Sequence, residues 1–271
     1  MGIVKFWGVQ GTCPGNYFSD NLGSNTSCVS VEKNDTLIIL DAGTGIRSLS
    51  ENIKIEKYNK IILLLTHSHW DHIQGFPFFR YIYNRNKLDI FSHSEHHLNA
   101  LVNQINGINF PVNQADLLSD IKQHTNLSDL NKLTDFNIES IKTNHHGNCV
   151  GYRLNFKDCS VTYIPDNQLH DPNITTFEEF SKFCSQTSLL IHDSQYTESD
   201  MPYKTNWGHS IYKDTHRLSL EANVKRLALF HHEPTRSKQD ILRLAKNCQN
   251  KSNKVDVFAA YEGLEVDLLD N

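Results

Sequence analysis

The sequence predicts a mixed α/β fold for this chain. Short apolar or alternating runs that are typical of β-strands occur along the whole length, and helix-like segments lie between several of them. No internal repeat, linker-like stretch or low-complexity segment divides the sequence. We therefore predict a single domain over residues 1–271, a length that allows a sizeable hydrophobic core.

The predicted elements are short, and turns rich in glycine, proline or asparagine separate them. The predicted strands cover residues 4–7, 27–32, 36–40, 61–65, 88–91, 136–141, 151–156, 160–164, 188–191, 226–230 and 255–259. The predicted helices cover residues 96–102, 176–183, 212–222 and 238–247.

One strand and the residues after it carry the strongest chemical signal. Residues 61–65 are all apolar, which predicts a strand that is buried on both faces. His67 and His69 are two positions apart, so they share a face at the end of this strand. A helix that starts here would bring Asp71 and His72 beside them. Histidine and carboxylate ligands at this density favour zinc or a neighbouring transition metal.

Other predicted strands also have histidine or aspartate beside them, as expected if several strand ends supply one metal site. A carboxylate at such a place can hold two cations about 3.5–4 Å apart. In two of these places the histidines are adjacent, and the residues alone leave open which one binds. The candidates are His145-His146, Asp166, His192-Asp193 and His231-His232.

The order His67, His69, Asp71 and His72 gives the pattern His-x-His-x-Asp-His after an apolar strand. This pattern resembles the metal motif of the metallo-β-lactamase superfamily. The resemblance implies an α/β fold of four layers, an αβ/βα sandwich of two mixed β-sheets with helices on both outer faces. It also implies that residues 1–271 form one metallo-β-lactamase-fold domain.

The resemblance covers nearly the whole chain, from the Trp7-Gly8-x-x-Gly11 loop to residues 261–264. It is closest to the branch that contains ribonuclease Z, cyclic-nucleotide phosphodiesterases and the cyclic ribose phosphodiesterase of phosphonate breakdown. The resemblance implies two divalent metal ions per chain, held by histidine and aspartate. Zinc is the expected metal here, with manganese and iron as alternatives that accept the same ligands.

The resemblance implies seven metal ligands. In the related branch, a ligand histidine stands six residues before Gly-Tyr-Arg, which favours His145 over His146. A last-motif histidine just after a strand matches His231 rather than His232. In the implied arrangement one metal takes His67, His69 and His145, the other takes Asp71, His72 and His231, and Asp166 joins both.

A further histidine matches a motif of the same branch. Gly-His-Ser, here Gly208-His209-Ser210, places a histidine near the scissile phosphate in that branch. His209 and Asp71 are therefore the predicted catalytic residues, and His209 would donate a proton to the leaving oxygen or bind the phosphate. The alternative is the simpler explanation that His209 lies on the surface near the start of a helix and has no role in the reaction. Asp41 and Asp193 are expected to accept hydrogen bonds from ligand imidazoles, and a cap at the end of a strand is the alternative for either residue.

The resemblance implies a metal-dependent phosphodiesterase in which a metal-bridging hydroxide attacks a small phosphodiester, with cyclic nucleotides among the candidates. A tRNA 3′-processing endonuclease is an alternative, but residues 76–130 are aromatic and polar rather than a long basic arm. The same fold could also serve a thioester or lactone hydrolase, or a catalytically silent metal-binding sensor. Five aromatic residues could stack on a nucleobase or form core: Phe76, Phe78, Phe79, Phe110 and Trp207.

The composition indicates which classes of partner the protein is expected to bind. The formal net charge is -5 and no cluster of Lys and Arg stands out, which makes nucleic acid the less favoured substrate. No apolar run approaches the roughly 18–20 residues of a membrane span, and the N-terminus lacks a signal-peptide pattern. The six scattered cysteines predict free thiols. We therefore expect a cytoplasmic protein without a membrane partner, and a homodimer is the default oligomer.

Overall fold

The structure, a computed structural model, describes residues 2–15, 22–170, 173–251 and 254–269. Over these residues the chain forms two mixed β-sheets with helices, which confirms the predicted α/β class. It divides into two compact units. The first unit consists of residues 1–14, 25–134 and 261–271, and the second of residues 15–24 and 135–260. The single domain inferred from the sequence stays a prediction.

The strands are numbered in chain order over the described residues. They are β1 (Gly2–Gly8), β2 (Cys28–Lys33), β3 (Thr36–Leu40), β4 (Lys60–Leu64), β5 (Lys87–Phe91), β6 (Asp120–His124), β7 (Asn137–Lys142), β8 (Val150–Asn155), β9 (Ser160–Ile164), β10 (Leu189–Asp193), β11 (Arg226–Phe230), β12 (Asp256–Ala259) and β13 (Glu265–Asp267).

The α-helices are numbered in the same way. They are α1 (Gly45–Asn52), α2 (Trp70–Ile73), α3 (Glu95–Val102), α4 (Leu127–Asn131), α5 (Phe177–Phe183), α6 (Met201–Lys204), α7 (Tyr212–Glu221) and α8 (Lys238–Gln249). Short 3₁₀ helices occur at Ile55–Lys57, Phe76–Phe78, Arg80–Tyr83 and Gln114–Asp116. Within the described residues, no helix has both the length and the apolar character needed to cross a membrane.

The first unit contains a seven-stranded sheet in the order β13-β1-β2-β3-β4-β5-β6. Strands β1, β2, β3 and β13 pair antiparallel, whereas β3 to β6 pair parallel. Strand β4 lies inside the sheet between β3 and β5, and its residues 61–64 are at most 1% exposed, as the apolar run predicted. The register pairs Leu40 with Leu64, so β3 and β4 end at the same edge. Asp41, which follows β3, and the residues that follow β4 therefore lie at the same edge of the sheet.

The second unit contains a six-stranded sheet in the order β12-β11-β10-β9-β8-β7. Strands β9 to β12 are parallel, and helices α5, α7 and α8 lie between successive strands in the sequence. Parallel neighbours need such crossovers, and their carboxyl ends share one edge of the sheet. Asp166, Asp193 and His231 lie at or just beyond the ends of β9, β10 and β11, so the topology gathers them there.

Every strand and helix predicted from the sequence has a counterpart in the structure, with ends that differ by at most two residues. The sequence missed β6, β13, α1, α4 and α6. Strand β6 is an edge strand whose side chains are exposed or half-buried, so it has no apolar alternation to detect. The three missed helices are at most eight residues long.

A close backbone contact fixes α2 against the loop after β3. The Ala42 N–H donates to the His72 carbonyl at 2.8 Å, and the Gly75 N–H donates to the Ala42 carbonyl at 2.9 Å. A Cβ on Gly75 would lie 2.0 Å from the Gly43 carbonyl oxygen, which is backbone and cannot move aside easily. The loop and helix can pack this closely only because Gly75 has no side chain.

We therefore expect Gly75→Ala to lower the free energy of unfolding by about 1–3 kcal/mol, as overpacking does elsewhere. Urea unfolding followed by circular dichroism measures the change. Gly2→Ala is the matched control, because its Cβ would meet the flexible Leu268 side chain at 3.2 Å. Equal unfolding midpoints for the two variants would contradict the close contact.

Candidate metal centre

Asp41 connects the two ends of the His-x-His-x-Asp-His motif in the first unit. It is fully buried and follows β3 with a left-handed backbone, φ 61°. Its Oδ1 accepts from the Thr66 N–H at 2.8 Å, and the Thr66 hydroxyl lies 3.0 and 2.9 Å from its two oxygens. Its Oδ2 accepts from His72 Nδ1 at 2.8 Å. One carboxylate thus holds both the end of β4 and helix α2.

The structure brings the four motif residues together. The ring centre of His67 lies 4.4 Å from that of His69 and 4.3 Å from that of His72. His72 Nε2 lies 3.4 Å from Asp71 Oδ2. The Thr12 N–H donates to the same Asp71 oxygen at 2.8 Å, which places the end of the Trp7-Gly8-x-x-Gly11 loop beside the motif.

The hydrogen bonds set the tautomers of two of these histidines. His72 Nδ1 donates to the Asp41 carboxylate, so the lone pair of the neutral ring lies on Nε2. The Thr66 hydroxyl donates to Asp41 and therefore accepts from His67 Nδ1 at 3.0 Å, with the same consequence. Metal-binding histidines are oriented in this way by partners on their other nitrogen. The donor set of imidazole nitrogens and a carboxylate therefore fits a divalent transition metal.

Asp166 lies between two of the predicted ligand histidines of the second unit. It is buried just after β9, and its two oxygens face two imidazoles. His145 Nε2 lies 3.3 Å from Oδ2, and His231 Nε2 lies 3.3 Å from Oδ1. The structure thus brings together the three residues of this unit that the sequence proposed as ligands.

Hydrogen bonds also orient these two histidines. His145 Nδ1 donates to the Gly208 carbonyl at 2.9 Å, and His231 Nδ1 donates to Gln195 Oε1 at 3.1 Å. In the neutral rings the Nε2 lone pairs then point at carboxylate lone pairs. Such an arrangement is favourable when a proton or a cation lies between the two atoms. The donor set around Asp166 therefore fits a bound cation.

The rival histidines are placed differently. His146 is exposed, and its Nε2 lies 3.0 Å from the Asn206 carbonyl. His232 is buried and its Nε2 donates to the Ala260 carbonyl at 2.8 Å. Burial lowers the pKa of His232 to about 4, so its ring stays neutral near pH 7. The geometry favours His145 and His231 as ligands, and that role stays a prediction.

His209 lies beside the Asp166 cluster. Its ring centre is 4.9 Å from that of His145 and 4.9 Å from that of His231. One ring nitrogen each of His209 and His231 and one oxygen of Asp166 lie within 4.8 Å of one another. His209 is buried rather than on the surface, which contradicts the simpler explanation of this residue.

Asp193 orients His209. Its Oδ2 accepts from His209 Nδ1 at 2.7 Å and from the Asn167 N–H at 3.0 Å. The expected partner of Asp193 was a ligand imidazole, whereas the structure shows the predicted catalytic histidine. The neighbouring His192 is buried, its Nδ1 donates to the Asp193 carbonyl, and burial lowers its pKa. His192 therefore stabilises the end of β10.

Sequence reasoning missed three groups that orient the predicted ligands: the Thr66 hydroxyl, the Gln195 amide and the Gly208 carbonyl. Thr66 is adjacent to His67 in the sequence, and Gln195 lies two residues after Asp193. Nearness in the sequence to a candidate residue was therefore the only signal for these two groups. Gly208 has φ 82°, and a Cβ there would lie 2.4 Å from His145 Nδ1. The glycine of the Gly-His-Ser motif thus makes room for a predicted ligand.

Comparison with known proteins gives the family. The model of a family described as the beta-lactamase superfamily domain matches residues 36–232, which is more than half of the chain. The chain belongs to the metallo-β-lactamase superfamily.

Two curated relatives of this metallo-β-lactamase superfamily member are ribonucleases Z. The one from Picrophilus torridus is 30% identical over 129 residues, 47% of this chain and 40% of the relative. The one from Streptococcus pneumoniae strain CGSP14 is 24% identical over 274 residues, 83% of this chain and 87% of the relative. The first match thus covers less than half of the relative's length.

Solved structures share the superfamily fold. The metallo-β-lactamase fold protein YhfI from Bacillus subtilis gives a TM-score of 0.69 at 19% identity, over 98% of both chains. The short form of human tRNase Z gives 0.68 at 16% identity, over 98% of this chain and 99% of that chain. A diphosphatase from the PhnP family gives 0.68 at 14% identity, over 98% of both chains. At these identities the likeness shows the fold.

The Asp41 hydrogen bonds predict an effect on metal affinity. Asp41→Asn keeps the side-chain shape but removes the charge that holds His72 Nδ1–H, so metal affinity should fall about 10–100-fold. Competition against a chromophoric chelator measures it. Asp89→Asn is the control, because Asp89 accepts from His124 and contacts none of the predicted ligands in the described structure. Equal affinity in the two variants would show that Asp41 has no role in metal binding.

Proposed function

We propose that the chain is a phosphodiesterase that uses two divalent metal ions to hydrolyse a small phosphodiester, with cyclic nucleotides among the candidate substrates. The observation that carries this proposal is the buried pair of His209 and Asp193 beside His145 and His231. A histidine oriented in this way serves a reaction in which a poor leaving oxygen needs a proton.

The proposed metal ligands are seven histidine and aspartate residues. Bound divalent ions would supply a nucleophile at neutral pH and offset the negative charge that develops on the phosphoryl oxygens. We expect zinc, with manganese and iron as alternatives. The proposed ligands are His67, His69, Asp71, His72, His145, Asp166 and His231.

The chain's own residues have distinct proposed roles. Because Asp193 accepts from Nδ1 of His209, the exchangeable proton of this histidine lies on Nε2. The carboxylate also stabilises the positive charge of the protonated ring. His209 would donate this proton to the leaving oxygen or hydrogen-bond to the phosphate. Asp71, whose oxygen is held by the Thr12 N–H, is the second proposed catalytic residue.

The relatives support a reaction at phosphorus rather than at a carbonyl carbon. They include proteins named ribonuclease Z, tRNase Z and a PhnP-family diphosphatase. These names also support a tRNA 3′-processing endonuclease. We rank it second because residues 76–130 form strands and helices, from the Phe76–Phe78 turn to α4, rather than a long basic arm. Thioester or lactone hydrolysis and a silent sensor would make less use of His209.

The first test combines metal content with catalysis. Elemental analysis of the purified protein should give two divalent metals per chain, and the loaded protein should hydrolyse bis-(p-nitrophenyl) phosphate. His67→Ala and Asp166→Ala should each lose metal and turnover, with His96→Ala, an exposed histidine, as the control. Full metal content and activity in both variants would remove these residues from the centre.

The role of His209 predicts a dependence on the leaving group. His209→Ala should keep both metals but slow cleavage of a diester with an alkoxide leaving group by about 100-fold or more. Hydrolysis of a p-nitrophenyl ester should slow less, because p-nitrophenolate leaves without a proton. Rates for the two substrate types, with metal content measured on the same sample, test this. An equal slowing of both would indicate phosphate binding rather than proton donation.

A further inference from the structure

A cleft in the first unit lies next to the His-x-His-x-Asp-His motif. Its volume is about 580 Å³, within the range of ligand-binding pockets. Three aromatic rings and four side-chain amides contribute to its walls. We call it the Trp70 cleft, and these residues are Trp70, Phe78, Phe110, Gln74, Asn103, Gln104 and Asn109.

The aromatic rings of the cleft are available to a ligand. Trp70 is 79% exposed and Phe78 is 51% exposed, whereas Phe76 and Phe79 in the same segment are fully buried in the core. Phe110 meets Phe78 edge to face, with ring centres 5.5 Å apart. The structure thus separates the aromatic residues of this region into core and cleft. An indole that is mostly in water is not explained by packing.

The walls are held in place by hydrogen bonds. Gln104 Nε2 donates to the Ile73 carbonyl at 2.9 Å and to the Leu101 carbonyl at 3.0 Å, which ties α2 to α3. The Tyr83 hydroxyl donates to the Pro77 carbonyl at 2.7 Å and fixes the turn that carries Phe78. A cleft with braced walls loses little conformational freedom when a ligand enters.

The chemistry of the cleft limits its occupant. Flat apolar surfaces stack best on a planar ring, and amides provide both donors and acceptors for a polar edge. The lining residues that the structure describes include no Lys, Arg, Asp or Glu, so a charged group such as a second phosphate is disfavoured. A neutral planar heterocycle with a polar edge fits these properties.

The position of the cleft connects it to the reaction. Trp70 lies between His69 and Asp71 in the chain, and Ser68 also lines the cleft. Trp70 is thus the direct chain neighbour of two proposed metal ligands, and the cleft borders the segment that carries them. We propose that the Trp70 cleft binds the nucleobase of the phosphodiester that is cleaved. This inference rests on the proposed phosphodiesterase function.

Two esters with the same leaving group test it. Thymidine 5′-(p-nitrophenyl phosphate) carries a base and methyl p-nitrophenyl phosphate does not, so the ratio of their kcat/KM values isolates the contribution of the nucleoside. Stacking of one base on one aromatic residue predicts a ratio of about 10 or more. Trp70→Ala and Phe78→Ala should each lower this ratio about 10-fold, and Trp70→Phe should keep most of it. Tyr203→Ala, an 84% exposed aromatic residue of the second unit, should leave it unchanged.

Equilibrium dialysis with radiolabelled adenosine 5′-monophosphate gives a second readout that does not depend on turnover. Excess ribose 5-phosphate serves as the base-free competitor, and Trp70→Ala should weaken the remaining binding about 10-fold. If both esters are hydrolysed but no variant changes the ratio, the cleft does not bind the base and the phosphodiesterase stands. If neither ester is hydrolysed, the proposed function fails. The dialysis experiment then tests base binding by the cleft independently of catalysis. Equal binding of adenosine 5′-monophosphate by the wild type and Trp70→Ala would show that the cleft does not bind the base.

Discussion

The hydrogen bonds to the buried carboxylate of Asp41 hold the His-x-His-x-Asp-His motif of the first unit in place. A carboxylate without contact to water is unfavourable unless hydrogen bonds or charges compensate it. Here the compensating donors are the Thr66 amide and hydroxyl and the His72 ring, and all three belong to the motif segment. The parallel register of β3 and β4 brings the two strand ends to one edge, so Asp41 meets these donors without a long connection. The stabilisation of a buried charge and the orientation of a proposed ligand are therefore the same set of contacts.

The second unit repeats this arrangement with different partners. The Nδ1 atoms of three histidines each donate a hydrogen bond to an oxygen atom. The acceptors are the Gly208 carbonyl, the Gln195 amide and the Asp193 carboxylate. Two of these acceptors are neutral and orient the proposed ligands His145 and His231, whereas the charged one orients His209. A carboxylate stabilises a protonated ring more strongly than an amide does. The difference in partner fits a difference in role, since a proton donor must carry positive charge and a metal ligand must be neutral.

The strand-end logic of the sequence anticipated most of this arrangement, because apolar runs mark central strands and polar residues after them mark the ligand edge. It succeeded for β4, which is buried on both faces, and missed β6, whose edge position leaves its sequence without apolar alternation. The strand-end argument cannot separate adjacent histidines, so the preference for His145 over His146 came only from the motif spacing of the related branch. His145 and His146 differ in the structure because one contacts Gly208 and the other Asn206, and both partners lie about 60 residues further along the chain. Tertiary contacts of this range leave no local pattern in the sequence.

Backbone strain at two strand ends gives an independent indication of function. Asp41 and His231 both have left-handed backbones, with φ 61° and 58°, although neither is glycine. Such positions cost about 1–3 kcal/mol each and persist where surrounding contacts over-determine them. Glycine would relieve the strain but could not supply a carboxylate or an imidazole. The left-handed turn at His231 comes just before His232, whose side chain contacts the Ala260 carbonyl, while His231 faces Asp166. The strain is therefore located where the chain must turn a side chain toward the proposed centre, as expected if the side chain's chemistry rather than local stability determines the residue.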